Sequence, residues 1–148
     1  MSDDILSMKY QVYNEFSGVL RHHYKRLHEL LEEINVYPGQ PPLLFILEKE
    51  GGLSQKILAK KINIKPSTLT TMLKCMENNG IVKKVQDDED KRVTRVFLTE
   101  YGRDTVMKTK KIMNVISEEA LSGFDSDEVK QLGRLFTKMK INLGSTAK

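Results

Sequence analysis

The sequence is poor in the features that mark several large protein classes. One cysteine, Cys75, stands among 148 residues, so neither an intramolecular disulfide nor a Cys-rich zinc site is possible within the chain. No apolar run approaches the roughly 20 residues needed to span a bilayer. Glycines number 9 and prolines 4, too few for a collagen-like or low-complexity chain, and no internal repeat is present. There is no Ser-His-Asp set, metal-ligand signature or phosphate-binding glycine loop, and Gly51-Gly52 reads only as a turn. Paired acids fall where turns and helix starts account for them. Catalysis is therefore not expected, nor is any cofactor. Met1-Ser2-Asp3-Asp4 is acidic where a secretory signal would be basic. The expectation is a soluble, cytoplasmic protein with no membrane partner.

What is present fits one helical domain over residues 1–148, with 39% apolar and 30% charged residues. The net charge of +4 is unevenly spread. Between Gly51 and Gln86, Lys56, Lys60, Lys61, Lys65, Lys74, Lys83 and Lys84 face a single acid, Glu77, a net of +6 that leaves −2 for the other 112 residues. A short basic segment in a near-neutral chain is the footprint of a polyanion partner, although a solvated lysine face would account for the charge alone.

Apolar periodicity predicts a long helix over about 5–34, carrying Val12, Phe16, Leu20, Leu27, Leu31 and Ile34. Pro38, Gly39, Pro41 and Pro42 interrupt it, and a short helix follows over about 41–50 with its prolines in the first turn. Ser54 caps a helix to about Lys61 that turns Ile57 and Leu58 inward, and Pro66 opens another that stops at Asn79-Gly80. Two short helices joined by about four residues form a helix-turn-helix. The runs 81–85 and 92–98 are rich in β-branched residues and predict a β-hairpin, the wing of a winged helix. Thr99 caps a second long helix to about Leu121, and Asp125-Ser126-Asp127-Glu128 opens a last one over about 126–142. The fold class is mainly α with a small hairpin wing: a winged helix-turn-helix over 38–100, flanked by helices at 1–36 and 101–148.

These flanks carry more apolar surface than a module of about 60 residues can cover. Val106, Ile112, Val115, Ile116, Leu121, Phe124, Val129, Leu132, Leu135, Phe136 and Met139 recur at helical spacing in the last two helices. A second copy of the chain covers such faces well, so dimerisation helices and a homodimer are expected.

In the second helix of the pair, Leu69, Met72, Leu73 and Met76 share one face. Ser67, Thr71, Lys74 and Asn78 occupy the opposite face, with Thr68, Thr70 and Cys75 on its flanks. Hydroxyls, threonine methyls and lysine can read base edges or phosphates in double-stranded DNA. A solubilising face usually mixes Glu with Lys, and here Glu77 is the one acid. The candidate DNA-binding residues are Ser54, Lys65, Ser67, Thr68, Thr70, Thr71, Lys74, Lys84, Lys91, Arg92 and Arg95. Arg92 is the leading wing contact. Asp87-Asp88-Glu89-Asp90 at the wing tip would be repelled by phosphates, and two readings stay open. Either Asp90 orients Arg92 or Arg95, or the acids form a solvated turn pointing away.

Leu53-Ser54-Gln55, Leu58-Ala59, Ser67-Thr68-Leu69-Thr70, Asn79-Gly80-Ile81-Val82, Asp90-Lys91-Arg92 and Leu98-Thr99-Glu100-Tyr101-Gly102 together resemble the MarR family of bacterial regulators. The match runs in order from Tyr37 to Gly102. Lys83-Lys84 stands where many members carry an arginine after the glycine turn. Lys91 replaces the first arginine of the usual Asp-Arg-Arg, keeping charge but losing bidentate geometry. The resemblance implies a dimeric winged-helix transcription factor, usually a repressor and often released from its operator by a small molecule or oxidant. It also implies an effector pocket where the first, second and fifth helices meet the winged module; Tyr13, Phe16, His23, Tyr24, Tyr37 and Phe45 are candidate linings, but aromatic residues at helical spacing are more often core, and none is assigned a ligand role.

Cys75 reads better as a small half-buried side chain than as a redox sensor. His22, His23 and His28 are spaced one, five and six apart, which does not suit a metal on one helix face. The expected function is a sequence-specific DNA-binding regulator, a repressor acting as a homodimer on a palindromic operator. The alternatives are a winged-helix protein-interaction module, which would need an apolar recognition face, and a non-specific architectural DNA binder.

Overall fold

The computed structural model describes residues 2–146. Its elements run α1 (Ser2–Glu32), α2 (Pro41–Lys49), β1 (Leu53–Ser54), α3 (Gln55–Ile62), α4 (Pro66–Asn78), β2 (Val82–Gln86), β3 (Thr94–Leu98), α5 (Glu100–Ala120) and α6 (Ser126–Thr146). The first and last helices differ from expectation at their ends, α1 stopping two residues earlier than 34 and α6 running four beyond 142. Two compact units are present, Met1–Ile116 and Ser117–Lys148.

In the first unit, local chemistry sets each boundary. Asn35 takes a left-handed conformation at φ 54° after α1, and the Gln40 side chain accepts the Tyr37 N–H at 3.0 Å, shaping the turn into α2. Ser54 Oγ accepts the Ile57 N–H at 3.3 Å and caps α3. Asn63, at φ 56°, ends α3 by donating its N–H back to Ala59 and Lys60. Pro66 starts α4, where its missing N–H costs nothing. Gly80 leaves α4 at φ 72°, a region that favours glycine. Thr99 Oγ1 accepts the Gly102 N–H at 2.9 Å at the start of α5.

The wing is a three-stranded antiparallel sheet in the order β1-β3-β2. β3 is central: Val96 lies opposite Leu53 of β1 and Lys84 of β2, and Arg95 lies opposite Ser54 and Val85. The hairpin was legible in the sequence, but β1 has two residues and no pattern of its own.

One apolar core joins these elements. Leu27 and Leu31 of α1 meet Leu43, Leu44 and Leu47 of α2, Leu58 of α3, Leu69, Leu73 and Met76 of α4, Val96 and Leu98 of β3, and Val106 of α5. Each fully buried Leu contributes about 1.5–3 kcal/mol relative to exposure. Ile57, expected inward, is 45% exposed. In an eight-residue helix the buried stripe runs through Leu58 and Ala59, and Ile57, about 200° round from Ala59, falls outside it. The stripe of α1 divides in the same way: Leu27 and Leu31 are buried, while Val12 and Leu20 are exposed.

The second unit holds the end of α5 and all of α6, separated by a turn with Gly123 at φ 82°. Asp125 Oδ1 accepts the N–H groups of Asp127 and Glu128, both at 2.9 Å, and Glu128 accepts the Asp125 N–H in return. This reciprocal capping box starts α6. Val129, Leu135, Ile141 and Leu143 on α6 are exposed.

Candidate nucleic-acid interface

The geometry of α4 follows from its burial pattern. Leu69, Leu73 and Met76 are buried and Met72 is half-buried, which fixes the helix against the core. Ser67, Thr68, Thr70, Thr71, Lys74 and Asn78 are left exposed, and Lys65 is exposed just before the first turn. The first turn carries no acid, so the positive end of the helix dipole is not neutralised from within. Thr70 donates its hydroxyl to the Pro66 carbonyl at 2.9 Å and Thr71 donates to Ser67 at 3.2 Å. With those protons engaged, both side chains present a methyl group and an accepting oxygen outward. Such a surface can meet a thymine methyl or a base amine. Ser54 is half-buried with its oxygen engaged in capping α3.

The wing sorts its cations by orientation. Arg92 has a side chain 91% exposed and is held by Asp90, Nε to Oδ1 at 3.0 Å and Nη2 to Oδ2 at 3.2 Å. Asp90 therefore orients Arg92, one of the two readings left open by the sequence. Lys91 reaches Asp88 only at 4.0 Å and is exposed. Lys84 is half-buried and lies 3.9 Å from Glu77 of α4. Arg95 has other partners. Its Nε donates to Asp87 Oδ2 at 2.6 Å and its Nη1 to the Gly52 carbonyl at 2.9 Å. Asp87 also accepts the backbone N–H groups of Glu89 and Asp90. Those bonds, the Glu89 one foremost and then Arg95, hold its carboxyl below the usual range. Asp90 is lowered likewise, chiefly by the Arg92 side chain.

A shallow cavity of about 490 Å³ lies beside α4, lined by Tyr37, Gly39, Gln40, Thr68, Thr71, Met72 and Cys75. Of the six aromatic and histidine linings expected for an effector pocket, Tyr37 alone borders this space. Tyr13 packs against Phe16 with the rings tilted by 49° and their centroids 6.2 Å apart, and Tyr13 and Tyr24 are exposed. Cys75 is half-buried, and Asn79 Nδ2 lies 3.9 Å from its sulfur. His22 and His23 are exposed, and His28 packs on Tyr37 at 6.4 Å. Among the described residues no group of three His, Cys, Asp or Glu side chains could hold a metal. No described helix is long and apolar enough to cross a membrane.

This arrangement of a polar α4, a three-stranded wing and long flanking helices has close counterparts. The sequence model of the MarR family matches residues 27–94. The chain is 32% identical over 103 residues to the uncharacterized HTH-type transcriptional regulator YdgJ of Bacillus subtilis, covering 70% of this chain and 63% of that protein. Against the uncharacterized HTH-type transcriptional regulator YwoH of the same organism, it is 30% identical over 112 residues, covering 76% and 81%. The chain belongs to the MarR family. A MarR-like transcription regulator from Bacillus cereus has the same fold at a TM-score of 0.80 and 26% identity, over 93% of this chain and 99% of that one. A mutant MarR of E. coli, solved in complex with operator DNA, matches at a TM-score of 0.76 and 22% identity, over 87% and 93%. MarR-family proteins are transcriptional regulators and not enzymes. Every candidate residue except Arg95 falls inside the matched segment 27–94. The bond from Arg95 to the Gly52 carbonyl was not legible in the sequence, because the two residues lie 43 positions apart.

Proposed function

We propose that this MarR-family regulator is a sequence-specific repressor that binds double-stranded DNA as a homodimer on a palindromic operator, and that an effector releases it. The observation that carries the reading is the exposed face of α4, which is short, hydroxyl-rich and acid-free until Glu77. In the major groove Ser67, Thr68, Thr70 and Thr71 would meet base edges first, since they stand at the N-terminal end of the helix. Lys65, Lys74, Lys84 and Lys91 would meet phosphates, with the Ser54 hydroxyl proton free to donate to another. Arg92 would enter the neighbouring minor groove. An E. coli MarR mutant of the same fold, solved in complex with operator DNA, supports the DNA reading.

Exposed apolar side chains support the dimer. Leu6, Met8, Val12 and Val19 on α1, and Val129, Leu135 and Ile141 on α6, are all exposed in one copy. A second copy covering them makes 1–36 and 101–148 the dimerisation helices around the 38–100 module, and a two-fold axis sets half-sites about one helical turn apart. Occupancy of the operator blocks the polymerase. An effector acts by changing the separation of the two α4 helices.

The test compares Ser67→Ala and Thr71→Ala with Lys84→Ala on an operator fragment and a random duplex. The two hydroxyl variants should lose discrimination between the duplexes, while Lys84→Ala should weaken both alike and lower the salt slope. Equal losses on both duplexes in all three variants would remove the readout roles from α4.

A further inference from the structure

The two arginines of the wing do different things. Arg92 is at the tip, almost wholly exposed, and tethered only to its neighbour Asp90. Arg95 lies on the central strand, its side chain 43% exposed, against an Asp87 carboxylate only 14% exposed. One guanidinium joins three separate pieces of chain. It meets the end of β2 through Asp87, its own strand β3, and the turn into β1 through the Gly52 carbonyl. Each piece is itself fixed. Asp87 donates its N–H to the Val93 carbonyl at 2.9 Å, closing the hairpin, and its Oδ1 folds the tip by accepting from Glu89 and Asp90. Gly52 donates its N–H to the Val96 carbonyl at 3.0 Å. It sits at φ 78° against the Phe97 ring, where a Cβ would come within 2.8 Å of the ring carbon Cε1. Two residues beyond Gly52, Ser54 caps α3, the first helix of the helix-turn-helix.

We propose that Arg95 is a positioning residue for DNA binding: with Asp87 and Gly52 it forms a clasp that fixes the wing tip to the helix-turn-helix, so that Arg92 is presented to the groove. This rests on the DNA reading above. It reassigns Arg95, which charge and spacing alone place among the DNA contacts. A planar fork satisfies the carboxylate and the carbonyl at once, whereas a lysine ammonium is a point charge on a flexible stem. It also gives Asp87 a purpose in a wing that must approach a polyanion.

The sign of the Asp87 effect separates the clasp from simple electrostatics. Removing a negative charge from the wing should strengthen binding to DNA if charge alone matters. The clasp predicts that Asp87→Asn weakens it. The experiment measures Kd for an operator duplex at several salt concentrations, using the full chain and the variants Arg92→Ala, Arg95→Ala, Arg95→Lys, Asp87→Asn and Arg92→Ala/Arg95→Ala. Arg92→Ala should lower the salt slope by about 1, as a lost phosphate or groove contact does. Arg95→Ala should weaken binding about 5- to 10-fold with the slope unchanged, the scale on which coupled neighbours interact. Arg95→Lys should not restore it, and Arg95→Ala should add little in the Arg92→Ala background. Tighter binding by Asp87→Asn, or a full additional loss and a further drop in slope in the double variant, would overturn the proposal. If the wild-type chain bound no duplex, the DNA reading would fall by itself. Amide exchange at Glu89, Asp90 and Val93 would then decide the clasp, faster exchange in Arg95→Ala supporting it and unchanged exchange refuting it.

Discussion

Gly102 stands in the first turn of α5, where the helix passes over the chain leaving α4. Its N–H donates to Thr99 Oγ1 at 2.9 Å, and Thr99 in turn donates its N–H to the Ile81 carbonyl at 3.1 Å. A Cβ added at Gly102 would overlap the Ile81 carbonyl oxygen, lie 3.0 Å from its carbon and come within 3.3 Å of Leu98 Cδ2. A flexible side chain could rotate away from such an overlap. The Ile81 carbonyl cannot, because it is held by Thr99 at the junction of the Gly80 turn with β2. Gly102→Ala must therefore displace the start of α5, with an overpacking cost toward the upper end of about 1–3 kcal/mol. Better helix propensity returns at most about 1 kcal/mol. The net is a loss of about 2 kcal/mol, or a Tm lower by roughly 4–8 °C for a chain of this size. Gly133→Ala in α6 is the control, since a Cβ there meets nothing within 4 Å; it should gain up to about 1 kcal/mol. Urea denaturation at one fixed protein concentration measures both. A Gly102→Ala variant as stable as the wild type, beside a Gly133→Ala that behaves as stated, would refute the close approach of α5 to Ile81.

Three further outcomes are expected. Ser54→Ala removes the cap of α3 and should cost about 1 kcal/mol, read as a lower urea midpoint with an unchanged slope. Because Asp87 and Asp90 titrate below the ordinary carboxylate value in the folded wing, their contribution is complete above about pH 4 and is lost as pH falls through the lowered values. Amide exchange in the wing should thus be flat in protection between pH 5 and 7 and lose protection in acid, and protection that grew on acidification would contradict the ion pairs. Ile141→Glu places a charge on the exposed apolar face of α6 and should shift sedimentation of the proposed dimer toward monomer; a wild-type and a variant that sediment alike would remove α6 from the proposed interface.

What the sequence revealed was mostly local. Ser54, Pro66, Asn79-Gly80 and Thr99 announce their helix ends because caps and stops act within four residues of the chain, and each lies at the boundary it marks. The β-branched residues in 81–85 and 92–98 likewise pointed to the hairpin. β1 escaped notice because two residues carry no period, and it exists only through Val96 and Arg95 on the strand beside it. The inward stripe of α3 was misplaced by one residue at Ile57, since eight residues hold too few turns to fix the phase. Arg92 and Arg95 look alike in a segment with cations at 91, 92 and 95. Only the arrival of the Gly52 carbonyl and the fold of Asp87 distinguish an exposed arginine from a clasped one. Gly102 gave no sign of its contact with Ile81, which depends on how two elements cross.

The central claim is that the hydroxyl-bearing face of α4 reads a particular DNA sequence. Fluorescence anisotropy of the full chain on the DNA upstream of its own gene, against a random duplex of the same length at two salt concentrations, tests it most directly. The proposed regulator should prefer the upstream fragment, and the preference should survive the higher salt while binding to the random duplex falls away. Equal binding to both that salt erases, or no binding to either at low salt, would contradict it.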